Sequence, residues 1–358
     1  MFVALRDLRF ARGRFVLIGA VVALITVLVG FLSGLTGGLA IQNISAVLAL
    51  PGDRIVFAAP VGDESVTFAD SAVTAKQTEA WKTTAGVTDV TPIGISQGRA
   101  ERVGKDNNRA AVAFFGMEPG SGSHAPTERG TVTLSDPAAD ALGAGVGDAL
   151  TIAGSSYRVA QVDGDEWYSH TPVVQMAIDD WREVAAATGH PDAYATVLAV
   201  SGDPEWAAAD AAHDTVSETT LGSLTALSAF RSEIGSLLLM VAMLFGISGL
   251  VIGAFFTVWT MQRQGDVAIL KALGASNRSL VRDSLGQALM VLMGGIGIGL
   301  VLVTMLGTLA GTALPFLLSP LTTLLPGAIM TILGLAGAAF ALRSVTAADP
   351  LTALGSNR

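Results

Sequence analysis

The chain has 358 residues, 51% of them hydrophobic and 14% charged, with a mean hydropathy of +0.56 and a formal net charge of -9. A soluble protein carries about 25% charged residues, so this composition excludes an ordinary soluble domain and points to a membrane protein. There is no cysteine, which excludes a disulfide framework, a Cys-ligated zinc or iron–sulfur site and a CxxCH haem attachment.

The charge is divided. Residues 44–228 hold 10 Lys/Arg against 25 Asp/Glu, and the rest of the chain holds 11 against 5. One block is acidic and the other basic, as expected for parts on opposite sides of a bilayer. The acidic block argues against nucleic acid as a partner.

Residues 1–14 carry Arg6, Arg9, Arg12 and Arg14, with Phe2, Leu5, Leu8 and Phe10 between them. This spacing predicts an amphipathic helix lying on anionic lipid at the cytoplasmic face. From Phe15 to Ile41 there is no charged residue. About 20 residues cross the hydrocarbon core, so 15–43 is read as the first transmembrane helix. A cleaved signal peptide would have an apolar region of only about 7–15 residues. Gly30, Gly34, Gly37 and Gly38 provide small-residue spacing for close helix approach.

Residues 44–228 change character. DRIVFAA, SVTFA, AAVAFFGM, GTVTLS, DALTIAG, SYRVAQVDG, PVVQMAI and YATVLAV read as strands bounded by turn residues. TAKQTEAWKTT, DPAADALGA, DDWREVAAATG and DPEWAAADAAHDTV read as helices. The expected fold is therefore an α-helical membrane protein with four transmembrane helices plus an α+β extracytoplasmic domain inserted between helices 1 and 2. The remaining spans are 229–260, 288–314 and 326–342. A cytoplasmic segment, 261–287, joins the second to the third, an outer loop is 315–325, and the tail is 343–358. Positive charge concentrates in 1–14, the central segment and the tail. The positive-inside bias places these in the cytoplasm, with both termini, and the acidic domain outside the plasma membrane.

The central segment, VAILKALGASNRSLVRDSL, reads as two short helical pieces. Gly274 suits a left-handed helix stop and Ser276 a helix cap. Val267, Leu270 and Leu273 line one face of the first piece. Such an apolar ridge among basic residues fits either a cleft on a partner protein or the lipid interface.

The stretch TMQRQGDVAILKALGASNRSLVRDSLGQAL resembles the cytoplasmic segment of FtsX-type and macrolide-exporter-type ABC permeases. Asp266, Ile269, Leu270, Lys271, Ala272, Leu273, Gly274 and Ala275 match that family's pattern, with Asp266-Val267 standing where Glu-Ile is usual. The Arg-rich start, the single large insert, four spans and the terminal Asp349–Leu354 pattern extend the resemblance over the whole chain. It implies that Asp266, Ile269, Leu270, Lys271, Leu273, Gly274 and Arg278 couple to an ABC ATPase subunit. It also implies a homodimer in membrane lipid. ATP is then bound by the partner, and ATP-driven tilting of the helices moves the outer domain. A P-loop is absent here: Gly104-Lys105 has Arg99 where the first glycine belongs and Asp106 where Ser/Thr belongs. The chain is thus expected to be a transport subunit, not an enzyme; no histidines have metal-ligand spacing.

DGDEWYSHTPVV (Asp163 to Val174) resembles permeases that export haem, and related ones that export glycolipid or use an adaptor. Haem requires a flat apolar pocket and an O, N or S ligand to iron. The four histidines, His124, His170, His190 and His213, all lie in the insert, and Tyr168 with His170 stands out among its ligand-type residues. Acidic groups at membrane depth mark functional sites, which singles out Glu233. It either binds ferric iron, as haem's metal ligand, or pairs with Arg231. Phe230, Met240, Met243 and Phe31 supply apolar surface nearby. The leading expectation is an ATP-driven exporter of haem or a similar amphipathic molecule, with no permanently bound cofactor. The alternatives are a substrate-free mechanotransmission subunit that activates an outside protein, or an exporter of lipid, peptide or antibiotic.

Overall fold

The computed structural model describes residues 12–62, 64–104, 108–121, 125–126, 128–262, 265, 269, 274 and 276–346. Two compact units make up the chain: residues 39–235, and residues 1–38 with 236–358.

The first unit begins with the end of helix α1 (Arg12–Leu48). Next come β1 (Arg54–Ala58), α2 (Ala75–Lys82), β2 (Val87–Arg102), β3 (Arg109–Met117), β4 (Thr131–Leu134) and α3 (Asp136–Leu142). After these follow β5 (Ala149–Ile152), β6 (Ser155–Val162), β7 (Trp167–Tyr168), β8 (Thr171–Ala177) and α4 (Ile178–Ala187). The unit closes with β9 (Val197–Gly202), α5 (Trp206–His213), β10 (Thr215–Thr219), α6 (Thr220–Ser223) and the start of α7 (Ser228–Gln262).

The ten strands form one sheet in the order β10-β1-β9-β2-β3-β8-β4-β6-β5, with β7 added on β8. β2 also pairs with β5, through Ala100↔Ile152 to Arg102↔Leu150, which closes the end of the sheet on itself. Alternation along β3 sends successive side chains to opposite faces. Phe115 joins a cluster with Phe57, Phe68 and Tyr168, and Phe114 joins a second with Leu134, Met176 and Trp181. A third cluster forms around Trp81, Leu198 and Val200.

The Phe115 cluster also takes in Ile44, Ala46, Val47 and Leu50 from the end of α1, and Leu227 just before α7. Helix α1 therefore runs to Leu48 rather than stopping at 43, because its last turns are core residues of the insert. Other local readings change too. SVTFA is not a strand: residues 64–67 have no regular structure and 68–70 form a turn, although Phe68 is buried. The 16-residue β2 escaped notice because Pro92, Gly94 and Gly98 interrupt its strand pattern. The helix expected over DPEWAAADAAHDTV stops at His213, where Asp214 turns left-handed at φ +56°, and Thr215 then opens β10.

In the second unit, α1 and α7 are joined by α8 (Asn277–Ala310) and α9 (Pro320–Thr346). Among the described residues, four stretches are long and apolar enough to cross a membrane: Phe15–Leu48, Ser228–Gln262, Arg278–Ala310 and Pro320–Leu342. The chain is a membrane protein with an α+β domain inserted between the first two of these helices. Ser276 caps α8, its side chain accepting from the Ser279 amide, so residues 277–287 belong to that rod rather than to a separate piece. The glycines of α1 meet mixed partners. A Cβ on Gly30 would strike Val303 of α8, one on Gly34 the Phe316 ring, and one on Gly38 the Pro315 carbonyl. The Leu317 amide donates to the Gly34 carbonyl at 3.0 Å. The small-residue stripe thus receives a loop as well as a helix.

Candidate functional site

Three segments far apart in sequence meet inside the insert unit: the end of α1, the β7–β8 hairpin and the start of α7. The hairpin pairs Trp167 with Pro172 and Tyr168 with Thr171, leaving a two-residue tip of Ser169 and His170. Both tip residues have positive φ, +46° and +62°. That is the conformation of a two-residue type I′ turn, normally occupied by Asn and Gly. Here it is held from outside. The Ser169 amide donates to the Asn43 carbonyl at 3.1 Å and the His170 amide to the Gln42 carbonyl at 2.9 Å. Ser45 Oγ accepts from the Trp167 amide at 2.8 Å.

The tip directs His170 Nε2 to within 2.8 Å of Glu233 Oε2. Asn43 Nδ2 donates to the same oxygen at 3.0 Å and lies 3.0 Å from His170 Nε2. A carboxylate accepts, so Nε2 carries the ring proton toward Glu233. Glu233 Oε2 therefore collects two donors from two other segments. The His170 and Glu233 side chains remain 35% and 32% exposed. Asn43 is fully buried, and its Oδ1 has no hydrogen-bond partner among the described residues. As oriented, Nδ2 donates to Glu233 but faces the Nε2–H of His170; reversed, the amide oxygen would accept from Nε2–H but oppose Glu233 Oε2.

Of the residues expected to form one site, this cluster unites Glu233 and His170 and adds Asn43. Glu233, expected to bind iron or pair with Arg231, is hydrogen-bonded to His170 and Asn43. Arg231 reaches the Ser65 hydroxyl at 3.4 Å, and Phe230 packs on the Phe115 cluster. Tyr168 faces elsewhere: it is buried against Phe68 and Phe115, with ring centroids at 6.2 and 5.4 Å. Desolvation pushes its phenol well above the usual range. It lines a different cavity of about 620 Å³, beside Phe68, Ser96, Trp181 and His190. His213 bonds the Thr84 hydroxyl at 2.8 Å beneath Trp81. Phe31, Met240 and Met243 belong to the membrane unit. Phe31 packs on Phe316 with centroids 4.9 Å apart, and the two methionines are exposed.

Residues 94–98, GISQG, have the GxSxG form of a hydrolase nucleophile turn. They lie within strand β2, not at a strand-to-helix turn, and Ser96 Oγ accepts from Trp181 Nε1 at 3.0 Å. The glycines serve packing, because a Cβ on Gly94 would strike the Trp181 indole and one on Gly98 the Phe114 ring.

In the central segment, Ile269 is 59% exposed, Gly274 has φ +93° and Arg278 is exposed. Asp266, Leu270, Lys271 and Leu273 lie outside the described residues, as do residues 1–11 of the amphipathic start, residues 347–358 of the tail and His124.

The family described as FtsX-like permease C-terminal matches residues 231–350, which begin beside Glu233 and take in α8 and α9. This stretch is an FtsX-like permease domain. The chain is 24% identical over 365 residues to a protein named hemin transport system permease HrtB in Staphylococcus epidermidis, covering all of both chains. It is also 24% identical to the protein of that name in Staphylococcus haemolyticus, over 99% of each. An uncharacterized ABC transporter permease of Mycobacterium tuberculosis is 23% identical over 99% of each. Among solved structures it is similar to the periplasmic region of MacB from Actinobacillus actinomycetemcomitans, at 11% identity and a TM-score of 0.35, over 49% of this chain and 92% of that one. The extracellular domain of the transporter YknZ from Gram-positive bacteria aligns at 12% identity and a TM-score of 0.34, over 46% of this chain and 99% of that one.

Proposed function

We propose that this chain is the permease subunit of an ATP-driven ABC exporter of haem, working as a dimer with a separate ATPase. The observation that carries the reading is the carboxylate of Glu233 at the start of an apolar helix, on α7 of the permease domain, paired with an imidazole. An acidic group so placed is costly unless it has work to do, and a carboxylate is a hard oxygen donor suited to ferric iron. The names of the full-length relatives support haem as the substrate class.

The protein groups have distinct roles. Glu233 offers an oxygen ligand, and the adjoining Phe230 offers apolar surface to a flat ring. The energy comes through the central segment, where the exposed Ile269 seats on the ATPase and Asp266, Leu270, Lys271, Leu273, Gly274 and Arg278 complete the contact. Motion reaches the insert because the last turns of α1 and the residues leading into α7 are part of its core. N- and C-termini are placed in the cytoplasm and the insert outside, following the charge bias. That mechanical continuity also serves the second reading, in which the permease drives an outside protein and moves no substrate.

The test is optical. Ferric haem added to the permease in nanodiscs shifts its Soret band, and Glu233→Ala abolishes the shift. An unchanged spectrum in Glu233→Ala, with unchanged haem tolerance of cells, removes Glu233 from the site.

A further inference from the structure

We infer that His170 is not a second iron ligand but a guard: it occupies Glu233 while the permease is empty and gives it up when the ligand arrives. The inference rests on the reading of Glu233 as the substrate-binding group and adds the device that controls it.

Distance decides between the two roles. The ring nitrogens of haem fill the positions in its plane, so two protein ligands would stand on opposite faces of the ring, about 4 Å apart at about 2 Å each from iron. His170 Nε2 and Glu233 Oε2 are 2.8 Å apart and bonded to each other. There is no room between them for an ion, and Oε2 already accepts from a proton-bearing nitrogen, so iron that binds at Oε2 competes with the imidazole. On capture, the Nε2–H···O bond breaks, one Glu233 lone pair forms the Fe–O bond, and the water that iron carried leaves. The imidazole keeps its proton and no electron moves.

The turn is built to let go. Ser169 and His170 hold left-handed backbone without glycine, a strained conformation that persists only under outside restraint. The restraint is their docking on the Gln42 and Asn43 carbonyls together with the His170–Glu233 bond. Releasing the side chain removes one of these restraints, so the hairpin loosens from α1 as the ligand binds. Asn43 remains. Its Nδ2 still steadies Glu233, and its buried, orphaned Oδ1 stands ready for a donor on the incoming molecule.

The prediction has an unusual sign. With the permease in nanodiscs and ferric haem titrated by Soret absorbance, His170→Ala should bind haem about tenfold more tightly, the effect of removing one charge-assisted hydrogen bond that competes. His170→Gln, which restores an N–H donor at similar reach, should return affinity toward wild type. If His170→Ala weakens binding, His170 is a ligand or a prop and the guard is overturned. A second measurement needs no haem: hydrogen exchange at the Ser169 and His170 amides should quicken about tenfold in Glu233→Ala. Unchanged exchange overturns the guard, whatever haem does. Faster exchange combined with no haem binding by wild type or His170→Ala overturns the haem reading alone and leaves the guard in place for another ligand.

Discussion

Asn43 sits in a stretch that carries no charge, and nothing around it in sequence distinguishes it from the helix that contains it. Its role comes from burial: a primary amide with no exposure must place its hydrogen bonds, and one end goes to Glu233. Asn43→Leu keeps the shape and strips Glu233 of one donor, and it should raise, not lower, the apparent Tm, since an orphaned acceptor is removed as well. A lowered Tm would show that the amide is needed for folding. A glycine shows the opposite constraint. A methyl on Gly38 would meet the Pro315 carbonyl, and backbone yields less readily than a side-chain tip. Gly38→Ala should therefore destabilise the purified protein by an amount typical of overpacking, about 1–3 kcal/mol, read as a lowered apparent Tm. A melting curve that overlays wild type would contradict the loop docking on α1.

At the scale of elements, the β7–β8 tip is the part most open to engineering. Ser169→Gly relieves the left-handed strain at φ +46° while leaving His170 in place. It should stabilise the insert by up to about 1 kcal/mol, read as slower exchange at the hairpin amides; faster exchange would mean that the Ser169 side chain matters. This turn also marks the limit of what the sequence displayed. Glu233 stood out because a carboxylate in an apolar run is conspicuous, and Ser276 because a cap precedes its helix by a fixed interval. Most strands of the insert followed their β-branched runs. What stayed hidden was long-range. Pairing His170 with Glu233 requires a hairpin to be laid on two helix ends, which no local pattern encodes. Tyr168, two residues away, looked like its companion but points into another cavity, because the left-handed turn at Ser169 and His170 breaks the strand between them. β2 was hidden by Pro92 and its glycines, whose reason is the Trp181 and Phe114 rings that cover Gly94 and Gly98.

For the whole molecule, composition and hydropathy foretold four apolar helices and one large insert, and this is the architecture seen. The reach of the insert's core into the last turns of α1 was not foretold. In the proposed ATPase contact, Ile269 is exposed. Ile269→Asp should cut co-purification of the ATPase severalfold without altering haem binding. The central claim joins both ends: haem held at Glu233 turns on ATP hydrolysis in a partner. Its most direct measurement is the ATPase rate of the complex in nanodiscs, with and without ferric haem. The account predicts that haem raises the rate for the wild-type permease and leaves it unchanged for Glu233→Ala. A wild-type rate that does not respond to haem, or an equal response in Glu233→Ala, would contradict it.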